Sequence, residues 1–330
     1  MKIPQLLCKI SGSQKKIQNT EILLEGSIPV VTQEKGNLIA GFVNDVEPIQ
    51  DLPLIVFGDH SCTFKYVDFP FVRGADGTQL LKVDPNILNP KYFYYILNVI
   101  KIRNSDKYER HFKYLAEEKI PLPPLDIQQK IVQECETVDL VASSKRQQVE
   151  IMHQKINEII KNIKSNAIHK LKIGQVLSLE YGKSLPEAKR VAGEVPVMGS
   201  NGISGYHNES LCDGPAVIVG RKGSAGKVTY IERACFPIDT TFYVKPLIES
   251  NMKFIYYLLN SLELEKSIVG IGVPGINRND IYQLEIPKIS FAEQERIVDQ
   301  IEALEAQIAQ AQKVIDDAPQ QKQAILQKYL

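Results

Sequence analysis

The sequence is poor in cysteine and has no long hydrophobic run, and each absence excludes a class of protein. Its 330 residues contain five cysteines, and no two of them form a Cys-x-x-Cys pair: Cys8, Cys62, Cys135, Cys212 and Cys235. This pattern argues against a structural zinc site and favours reduced thiols in a cytoplasmic protein. No stretch approaches the roughly 18 apolar residues of a membrane-spanning helix, and the N-terminal apolar stretch is too short for a signal peptide. We therefore expect no membrane partner and no metal.

Net charge is also absent, because 39 basic and 39 acidic side chains cancel. Residues 1–119 carry 15 basic and 14 acidic side chains, and residues 170–288 carry 14 and 12. Residues 120–169 carry six of each, and residues 289–330 carry four basic and seven acidic. The small basic excess in 1–119 and 170–288 does not indicate nucleic-acid binding by itself, but it permits a local basic face.

Catalytic motifs are missing too. The segment from Gly220 to Lys227 is similar to a phosphate-binding loop, but its outer glycines are one residue too far apart, and Val228 replaces the magnesium-binding Ser or Thr. Asn89-Pro-Lys-Tyr92 lacks the second proline of the Asn-Pro-Pro-Tyr motif of amino-methyltransferases, and no glycine-rich cofactor motif follows a predicted strand. We therefore interpret Asn89 as the cap of a helix.

Metal-binding and nucleophilic clusters are not apparent either. The histidines are scattered, and none pairs at ligand spacing with Cys, Asp or Glu: His60, His111, His153, His169 and His207. Cys62 lies near His60, but no third orienting residue is in view, so a loop thiol is the better interpretation. The sequence predicts no catalysis, cofactor or metal on this chain.

What the sequence does contain is a duplication. Residues 120–132, with Ile-Pro at the start and Gln-x-x-Ile-Val near the end, return at 286–298, and residues 89–98 return at 251–260. The offsets of 166 and 162 residues are nearly equal and indicate a repeated module of about 165 residues. The repeat predicts mixed α/β domains at 1–119 and 170–288 and long helical segments at 120–169 and 289–330.

Hydrophobic patterns predict the elements of each copy. Apolar or alternating runs predict strands at 28–31, 38–42 and 54–57 in the first copy and at 195–198, 216–219, 227–231 and 241–244 in the second. Short helices are predicted at 91–100 and 252–262, each followed by a proline-containing hinge and a long helix. Pro319 should break or kink the second long helix near Asp317.

Both long helices show the spacing of a coiled-coil seam. The residues predicted to pair are Val138, Val149, Met152, Ile156, Ile159 and Ile163 in the first helix and Ile301, Leu304, Ile308 and Ile315 in the second. A helix over 127–163 would be roughly 55 Å long and could not bury such a stripe alone. We expect the two helices to pair with each other and to leave apolar surface for a partner protein.

The loops between predicted strands differ between the copies. Residues 221–227 place three cations, one hydroxyl and two glycines after a buried strand, while the first copy has 58–66 and 69–77 at the matching position. Arginine can donate two parallel hydrogen bonds to guanine, lysine can neutralise a phosphate, and glycine lets the backbone approach a DNA duplex closely. Different loops on a repeated scaffold are expected of two domains that each recognise a different half of a DNA site. An ordinary solvated hairpin is the alternative for 221–227.

With these features the chain strongly resembles the specificity subunit of a Type I restriction-modification system. The resemblance covers essentially all 330 residues and rests on the domain–helix alternation, the repeated junctions, the 221–228 loop, and the Gly58-Asp-His-Ser and Gly74-Ala-Asp-Gly sequences. It implies an α+β fold in which two mixed α/β target-recognition domains are separated by two long antiparallel coiled-coil helices, as a pseudo-two-fold tandem repeat. Each domain would read one half of an asymmetric, interrupted site in the major groove of double-stranded DNA.

The resemblance also implies partners and contacts. Two methyltransferase subunits carrying S-adenosylmethionine would bind this non-catalytic chain, and motor-nuclease restriction subunits would join for cleavage. DNA contacts are expected from Arg221, Lys222, Ser224, Lys227, Asn277 and Arg278 in the second domain and from His60, Lys65, Tyr66 and Arg73 in the first. The alternatives are a Type IIB-like specificity subunit, a coiled-coil adaptor with protein-binding heads, and a stand-alone methyltransferase, which the missing cofactor loop disfavours.

Overall fold

The structure, a computed structural model, describes residues 1–75, 77–103, 105–107, 109–165, 169–267 and 275–330. Two predicted features extend beyond the described residues: the Gly74–Gly77 sequence at Asp76, and the predicted helical segment 120–169 at residues 166–168. The chain divides into two compact units, one formed by 1–146 with 313–330 and the other by 147–312. Each unit therefore contains one mixed α/β domain and a part of each long helix.

The first unit is built on one mixed sheet of four strands and one antiparallel sheet of three strands. Its elements are β1 (Lys16–Ile17), β2 (Ile28–Val31), β3 (Gly41–Val43), β4 (Leu54–Gly58), β5 (Phe64–Val67), β6 (Val72–Gly74), β7 (Thr78–Leu81), α1 (Pro90–Val99), α2 (Phe112–Leu115) and the first part of α3 (Leu125–Ser165). The strand orders are β1-β6-β2-β3 and β5-β4-β7. Strand β4 is buried along its whole length, as its uninterrupted apolar sequence predicts.

The second unit holds the last part of α3 and the elements up to the middle of the last helix. These elements are β8 (Lys170–Lys172), α4 (Ile173–Val176), β9 (Leu177–Tyr181), β10 (Val195–Gly199), β11 (Gly202–His207), β12 (Ala216–Gly220), β13 (Val228–Ile231), β14 (Phe236–Pro237), β15 (Thr241–Pro246), α5 (Met252–Ser261), α6 (Arg278–Gln283), β16 (Glu285–Pro287) and α7 (Phe291–Tyr329). The strand orders are β11-β10-β14, β13-β12-β15-β9 and β16-β8. Single turns of 3₁₀ helix occur at Ile3–Gln5, Asn19–Glu21, Glu187–Lys189 and Leu264–Ser267.

One predicted strand has the wrong bounds. The run at 38–42 was expected to form a strand, but β3 contains only Gly41–Val43. Leu38 and Ile39 are each 36% exposed and lie in the loop that precedes the strand. Apolar residues without a sheet to pack against give the same local pattern as a strand, and the pattern alone cannot separate the two cases.

The two units repeat a three-strand arrangement in the same register. Strand β4 pairs with β5 and β7 as β12 pairs with β13 and β15. The central strand ends at Gly58 in one unit and at Gly220 in the other, and these glycines lie opposite Thr78 and Thr241. The connecting loops therefore leave equivalent positions of the scaffold.

The repeated junction sequence places a buried glutamine between the short and the long helix of the first unit. Gln128 is fully buried, and its side-chain carbonyl accepts a hydrogen bond from the N–H of Asn89 at 2.7 Å. Its amide donates to the backbone carbonyls of Ile87 at 3.2 Å and Pro123 at 2.8 Å. One side chain thereby satisfies three backbone groups that the bend of the chain leaves unpaired.

The same device occurs in the second unit. Gln294 accepts a hydrogen bond from the N–H of Asn251 at 2.9 Å and donates to the carbonyl of Ile289 at 3.0 Å. In both units the asparagine caps the short helix by accepting hydrogen bonds from two N–H groups of its first turn. The interpretation of Asn89 as a helix cap is confirmed.

The long helices meet in antiparallel orientation in the first unit. Lys322 of α7 forms an ion pair with Asp139 of α3 at 2.6 Å, and Lys328 pairs with Glu134 at 3.0 Å. Residue numbers rise along one helix as they fall along the other, which defines the antiparallel direction. Leu326 packs in the core beside Cys135, where burial raises the pKa of the thiol to about 11.

In the second unit the predicted seam residues lie against the domain core. Ile156, Ile159 and Ile163 pack on the cluster that contains Ile301. Of the other residues predicted to pair, Met152 is buried, and the remaining five are half-buried: Val138, Val149, Leu304, Ile308 and Ile315. Among the described residues, no helix has the length and apolar character needed to cross a membrane.

The expected break of the second long helix at Pro319 is not found. Helix α7 runs without interruption from Phe291 to Tyr329. Ala318 is buried on the inner side of the helix, whereas Pro319 itself is exposed. A proline removes one backbone hydrogen bond to the carbonyl four residues earlier, and on an exposed side water can satisfy that carbonyl.

Candidate nucleic-acid interface

The loop at 221–227 is packed tightly onto the end of β12. A Cβ at Gly220 would lie 2.1 Å from the carbonyl oxygen of Ser224, so this position accepts only glycine. Gly226 has a φ of +82°, and a Cβ there would lie 2.5 Å from the backbone nitrogen of Glu265. Gly220 and Gly226 thus serve the compact shape of the loop, and their close packing partners belong to the protein itself.

The first residues of the loop are fixed through their backbone. The N–H groups of Arg221 and Lys222 donate to the carbonyl of Thr240 at 2.8 and 3.2 Å. The carbonyl of Arg221 accepts a hydrogen bond from Ile276 at 3.1 Å. The loop at 221–227 and the segment that holds the predicted contacts Asn277 and Arg278 are therefore neighbours in the fold.

Two arginines from these segments stack on one tyrosine, and we call Tyr181, Arg221 and Arg278 the arginine–tyrosine cluster. The guanidinium carbons of Arg221 and Arg278 lie 5.0 and 4.7 Å from the ring centroid of Tyr181, which is 47% exposed. Arg221 donates to the carbonyl of Asp239 at 2.9 Å, and Arg278 donates to that of Leu179 at 3.3 Å. Cation–π stacking orients both guanidinium groups, and one carbonyl does not exhaust their N–H donors.

Tyr181 was not among the predicted site residues. It is the last residue of β9, which lies at the edge of its sheet beside β15. The alternation Leu177-Ser-Leu-Glu-Tyr181 was a usable strand signal, but it does not show which loops the strand end will meet. A Cβ at the following Gly182 would lie 2.1 Å from the carbonyl oxygen of Ile238, so the chain is held close to the neighbouring segment there.

The other predicted residues of the second domain divide into exposed and anchored ones. The side chain of Lys222 is exposed, and Ser224 is half-buried. Lys227 donates to the backbone and side-chain oxygens of Asn201 at 3.0 and 2.8 Å. Asn277 caps α6, since its side chain accepts a hydrogen bond from a backbone N–H of the first turn. Lys227 and Asn277 thus hold the two loops, while Lys222 extends from them.

The matching loop of the first unit, residues 59–63, is anchored by a buried carboxylate. Asp59 accepts a hydrogen bond from the N–H of Phe112 at 2.7 Å, and its carbonyl lies 2.9 Å from Nδ1 of His111. Nδ1 of His60 lies 3.1 Å from the carbonyl of Glu109. His60 is therefore half-buried between this loop and the segment before α2. It lies at the position where the second unit has its cationic loop.

Lys65 and Arg73 are embedded in the first domain. Lys65 is 8% exposed and donates to the carbonyl of Asn37 at 2.7 Å, and burial lowers the pKa of its ammonium group. Arg73 is half-buried and donates to the carbonyls of Gln14 and Thr78, both at 3.4 Å. Burial also lowers the pKa of Arg73. The structure therefore does not bring these two cations and His60 into one cluster like that of the second unit.

Tyr66 lies on the face of β5 that packs against the helices. Its ring centroid is 6.0 Å from that of Tyr94 and 5.7 Å from the ammonium group of Lys91, in a cavity also lined by Glu136 and Asp139. The second unit repeats the arrangement with Tyr230, Tyr256 and Lys253. A feature common to both units belongs to the shared scaffold, and the acidic lining of the cavity disfavours a phosphate contact.

Comparison with known proteins identifies the family. The profile of the Type I restriction modification DNA specificity domain matches residues 7–165 and again residues 167–317. The chain is 30% identical over 110 residues to the Type I restriction enzyme EcoR124I/EcoR124II specificity subunit of Escherichia coli. That match spans 32% of this chain and only 27% of the length of the relative.

Solved structures show the same fold. The S subunit of a Type I restriction-modification system from M. genitalium superimposes with a TM-score of 0.66 at 18% identity, over 100% of this chain and 95% of that chain. A second solved chain comes from work on the structural basis of complex assembly and conformational transition of the type I R-M system. It superimposes with a TM-score of 0.63 at 14% identity, over 100% of this chain and 96% of that chain. The predicted architecture of two mixed α/β domains with two long helices is confirmed. The chain belongs to the family defined by the Type I restriction modification DNA specificity domain, and it carries that domain twice.

Proposed function

We propose that the chain is the DNA sequence-specificity subunit of a Type I restriction-modification complex and that it reads an asymmetric, interrupted site with one domain per half-site. The observation that carries this proposal is a scaffold repeated in register that presents two different loops. One loop, 221–227, carries three cations, whereas the other, 59–63, carries none and is tied down by Asp59. Equal half-sites would be read by equal loops, so unequal loops suit unequal half-sites.

The second domain contains the chemistry needed for base recognition. A guanidinium held by stacking can present two parallel N–H donors to O6 and N7 of a guanine in the major groove. We assign this role to Arg221 and Arg278, with Tyr181 as the residue that orients them. Lys222 would neutralise a phosphate, and Ser224 is a further candidate for a base or phosphate contact.

The first domain is assigned fewer contacts. His60 lies in the loop that matches the cationic loop of the second domain. The guanidinium group of Arg73 lies near the start of β7, at the same end of the sheet. We keep these two residues as DNA contacts of the first domain. Lys65 and Tyr66 are left out of the proposal because one is buried and bonded and the other packs on the helices.

The partners follow from the proposed function. We propose that two methyltransferase subunits, which hold S-adenosylmethionine, and motor-nuclease restriction subunits assemble on this non-catalytic chain in the cytoplasm. Helix α3 supports a protein partner, since Leu140, Val141 and Ile151 are exposed apolar side chains outside the predicted seam. All five cysteines are free thiols, which suits a reducing compartment.

Binding to DNA is expected to weaken steeply as salt is added. The target is first identified by mapping methylated adenines in cells with and without the gene, and its affinity for the purified complex is then measured by fluorescence anisotropy. A protein that neutralises 6–10 phosphates should lose roughly 10³- to 10⁵-fold in affinity between 50 and 200 mM salt. A coiled-coil adaptor with protein-binding heads would show no preference for the mapped site, and that result would reject the proposal.

Replacing Arg221 with Ala is expected to weaken binding to the cognate site by ~1–3 kcal/mol and to relax discrimination in one half-site only. Arg233→Ala is the matched control, because it removes an equal charge from an exposed residue at the other end of the same hairpin. Arg221→Lys keeps the charge without the planar fork, so it should preserve the salt dependence but not the base preference. Unchanged affinity and preference in Arg221→Ala would remove this loop from the proposed interface.

A further inference from the structure

Two cysteines of the second unit face each other across adjacent chain segments. The sulfur atoms of Cys212 and Cys235 are 3.3 Å apart. The N–H of each residue donates to the carbonyl of the other, at 3.1 and 3.0 Å, so the two form an antiparallel bridge. Opposed residues that exchange both hydrogen bonds have Cα atoms about 5.5 Å apart, a distance that a disulfide can span.

The two thiols differ in access to solvent. Cys235 is fully buried beside Met198, Ala216 and Ile218, whereas Cys212 is half-buried at the edge of this cluster. The hydrogen bond between the sulfur atoms lowers the pKa of Cys212 and raises that of Cys235. Cys212 is therefore the thiol that meets a dissolved oxidant and ionises first, and Cys235 is its neighbour in the interior.

The repeated scaffold shows that packing does not require thiols at this position. In the first unit the corresponding bridge is formed by Ile49 and Phe71, and both are buried apolar side chains. Phe71 follows the end of β5 by four residues, as Cys235 follows the end of β13 by four residues. The second unit thus has a pair of reactive groups where the first unit has only hydrocarbon.

We propose that Cys212 and Cys235 form a reversible redox site that a hydroperoxide converts to an intrachain disulfide. The Cys212 thiolate attacks one oxygen of the peroxide and the O–O bond breaks. The released hydroxide takes up the former thiol proton as water, and Cys212 becomes a sulfenic acid. The Cys235 sulfur then attacks the Cys212 sulfur and the S–O bond breaks. Hydroxide leaves with the Cys235 proton, so two thiols and one hydrogen peroxide yield one disulfide and two waters.

The bond would close the base of the hairpin that carries the cationic loop. Residues 213–234, which lie between the two cysteines, include β12, the loop at 221–227 and β13. Oxidation would therefore tie together the two ends of this hairpin without a change in the loop itself. The redox site stands on its own geometry and is independent of whether the loop binds DNA.

The test uses the purified full-length chain treated with hydrogen peroxide, alkylated with N-ethylmaleimide and digested with trypsin. Mass spectrometry should find peptides 191–221 and 234–253 joined with the loss of two hydrogens, and dithiothreitol should release them. In Cys235→Ser, oxidation should stop at a sulfenic acid on Cys212, which dimedone traps. The exposed Cys8 reports that the oxidant has acted.

Two results would overturn the proposal. The first is that Cys8 is oxidised while both Cys212 and Cys235 still react with N-ethylmaleimide after unfolding. The second is that Cys212 forms its disulfide with a cysteine other than Cys235. Because the wild-type protein alone gives either result, a folding defect in a variant does not affect the outcome.

Discussion

Exchanging residues 170–288 for the corresponding segment of another family member is expected to change one half of the methylated DNA sequence and to leave the other half unchanged. The physical reason lies in how the segment is attached. Its first strand, β8, pairs with its last strand, β16, with Leu171 opposite Ile286. The segment therefore leaves and rejoins the rest of the chain at neighbouring points, and a different domain with the same ends can take its place.

The reciprocal exchange of residues 1–119 is the matched control. The two ends of this segment also meet, because Lys2 bridges Lys119 and the N–H of Ile120 donates to the carbonyl of Met1 at 3.0 Å. This exchange should change only the other half of the site. Methylated adenines are mapped genome-wide in cells that express each chimera with its partner subunits. If either single exchange altered both halves, the proposal of one reader per half-site would be wrong.

Replacing Gln128 with Met is expected to lower the free energy of unfolding by about 2–4 kcal/mol. Methionine has a similar volume and helix propensity, so the packing of α3 changes little. The substitution removes the hydrogen-bond partner of the N–H of Asn89 and of the carbonyls of Ile87 and Pro123, and all three hydrogen bonds are partly buried. A partly buried backbone group that loses its hydrogen bond costs a part of its desolvation penalty, and three groups share this side chain.

The effect of Gln128→Met is measured as a shift of the urea unfolding midpoint, together with faster amide hydrogen exchange in α1. Gln133→Met is the control, since Gln133 is an exposed residue of the same helix. The control should leave both the midpoint and the exchange rate unchanged. Equal midpoints for the two variants would show that Gln128 is not the link between α1 and α3.

Several elements followed from the sequence because their causes are local. The apolar run at 54–57 predicted the buried strand β4, and the seam spacing predicted the long helices. Asn89 was identified as a cap from its place before a helical pattern. Such patterns depend on neighbours within one or two turns along the chain, and those neighbours are present in the sequence itself.

Other expectations depended on position in the folded protein, which local patterns do not give. Pro319 was expected to break or kink α7, and the helix continues through it without a break, because the effect of a proline depends on which side of the helix it occupies. Tyr66 was predicted to contact DNA from the family resemblance, and which way its side chain points is set by the fold: alternation along β5 turns it toward α1 while Lys65 points the other way. One residue of displacement along a strand reverses the face that a side chain occupies.

The duplication, the order of domain and long helix, and the contrast between the two sets of loops can all be read from the residues in chain order. Repeated spacing and chemistry survive without any knowledge of the fold. The arginine–tyrosine cluster and the facing thiols were decided by tertiary structure alone. Tyr181, Arg221 and Arg278 come from three separate segments, and only the pairing of β9 with β15 and the packing of the loop on β12 bring them within contact. Contacts between distant segments depend on how strands and helices pack, and no local pattern encodes that geometry.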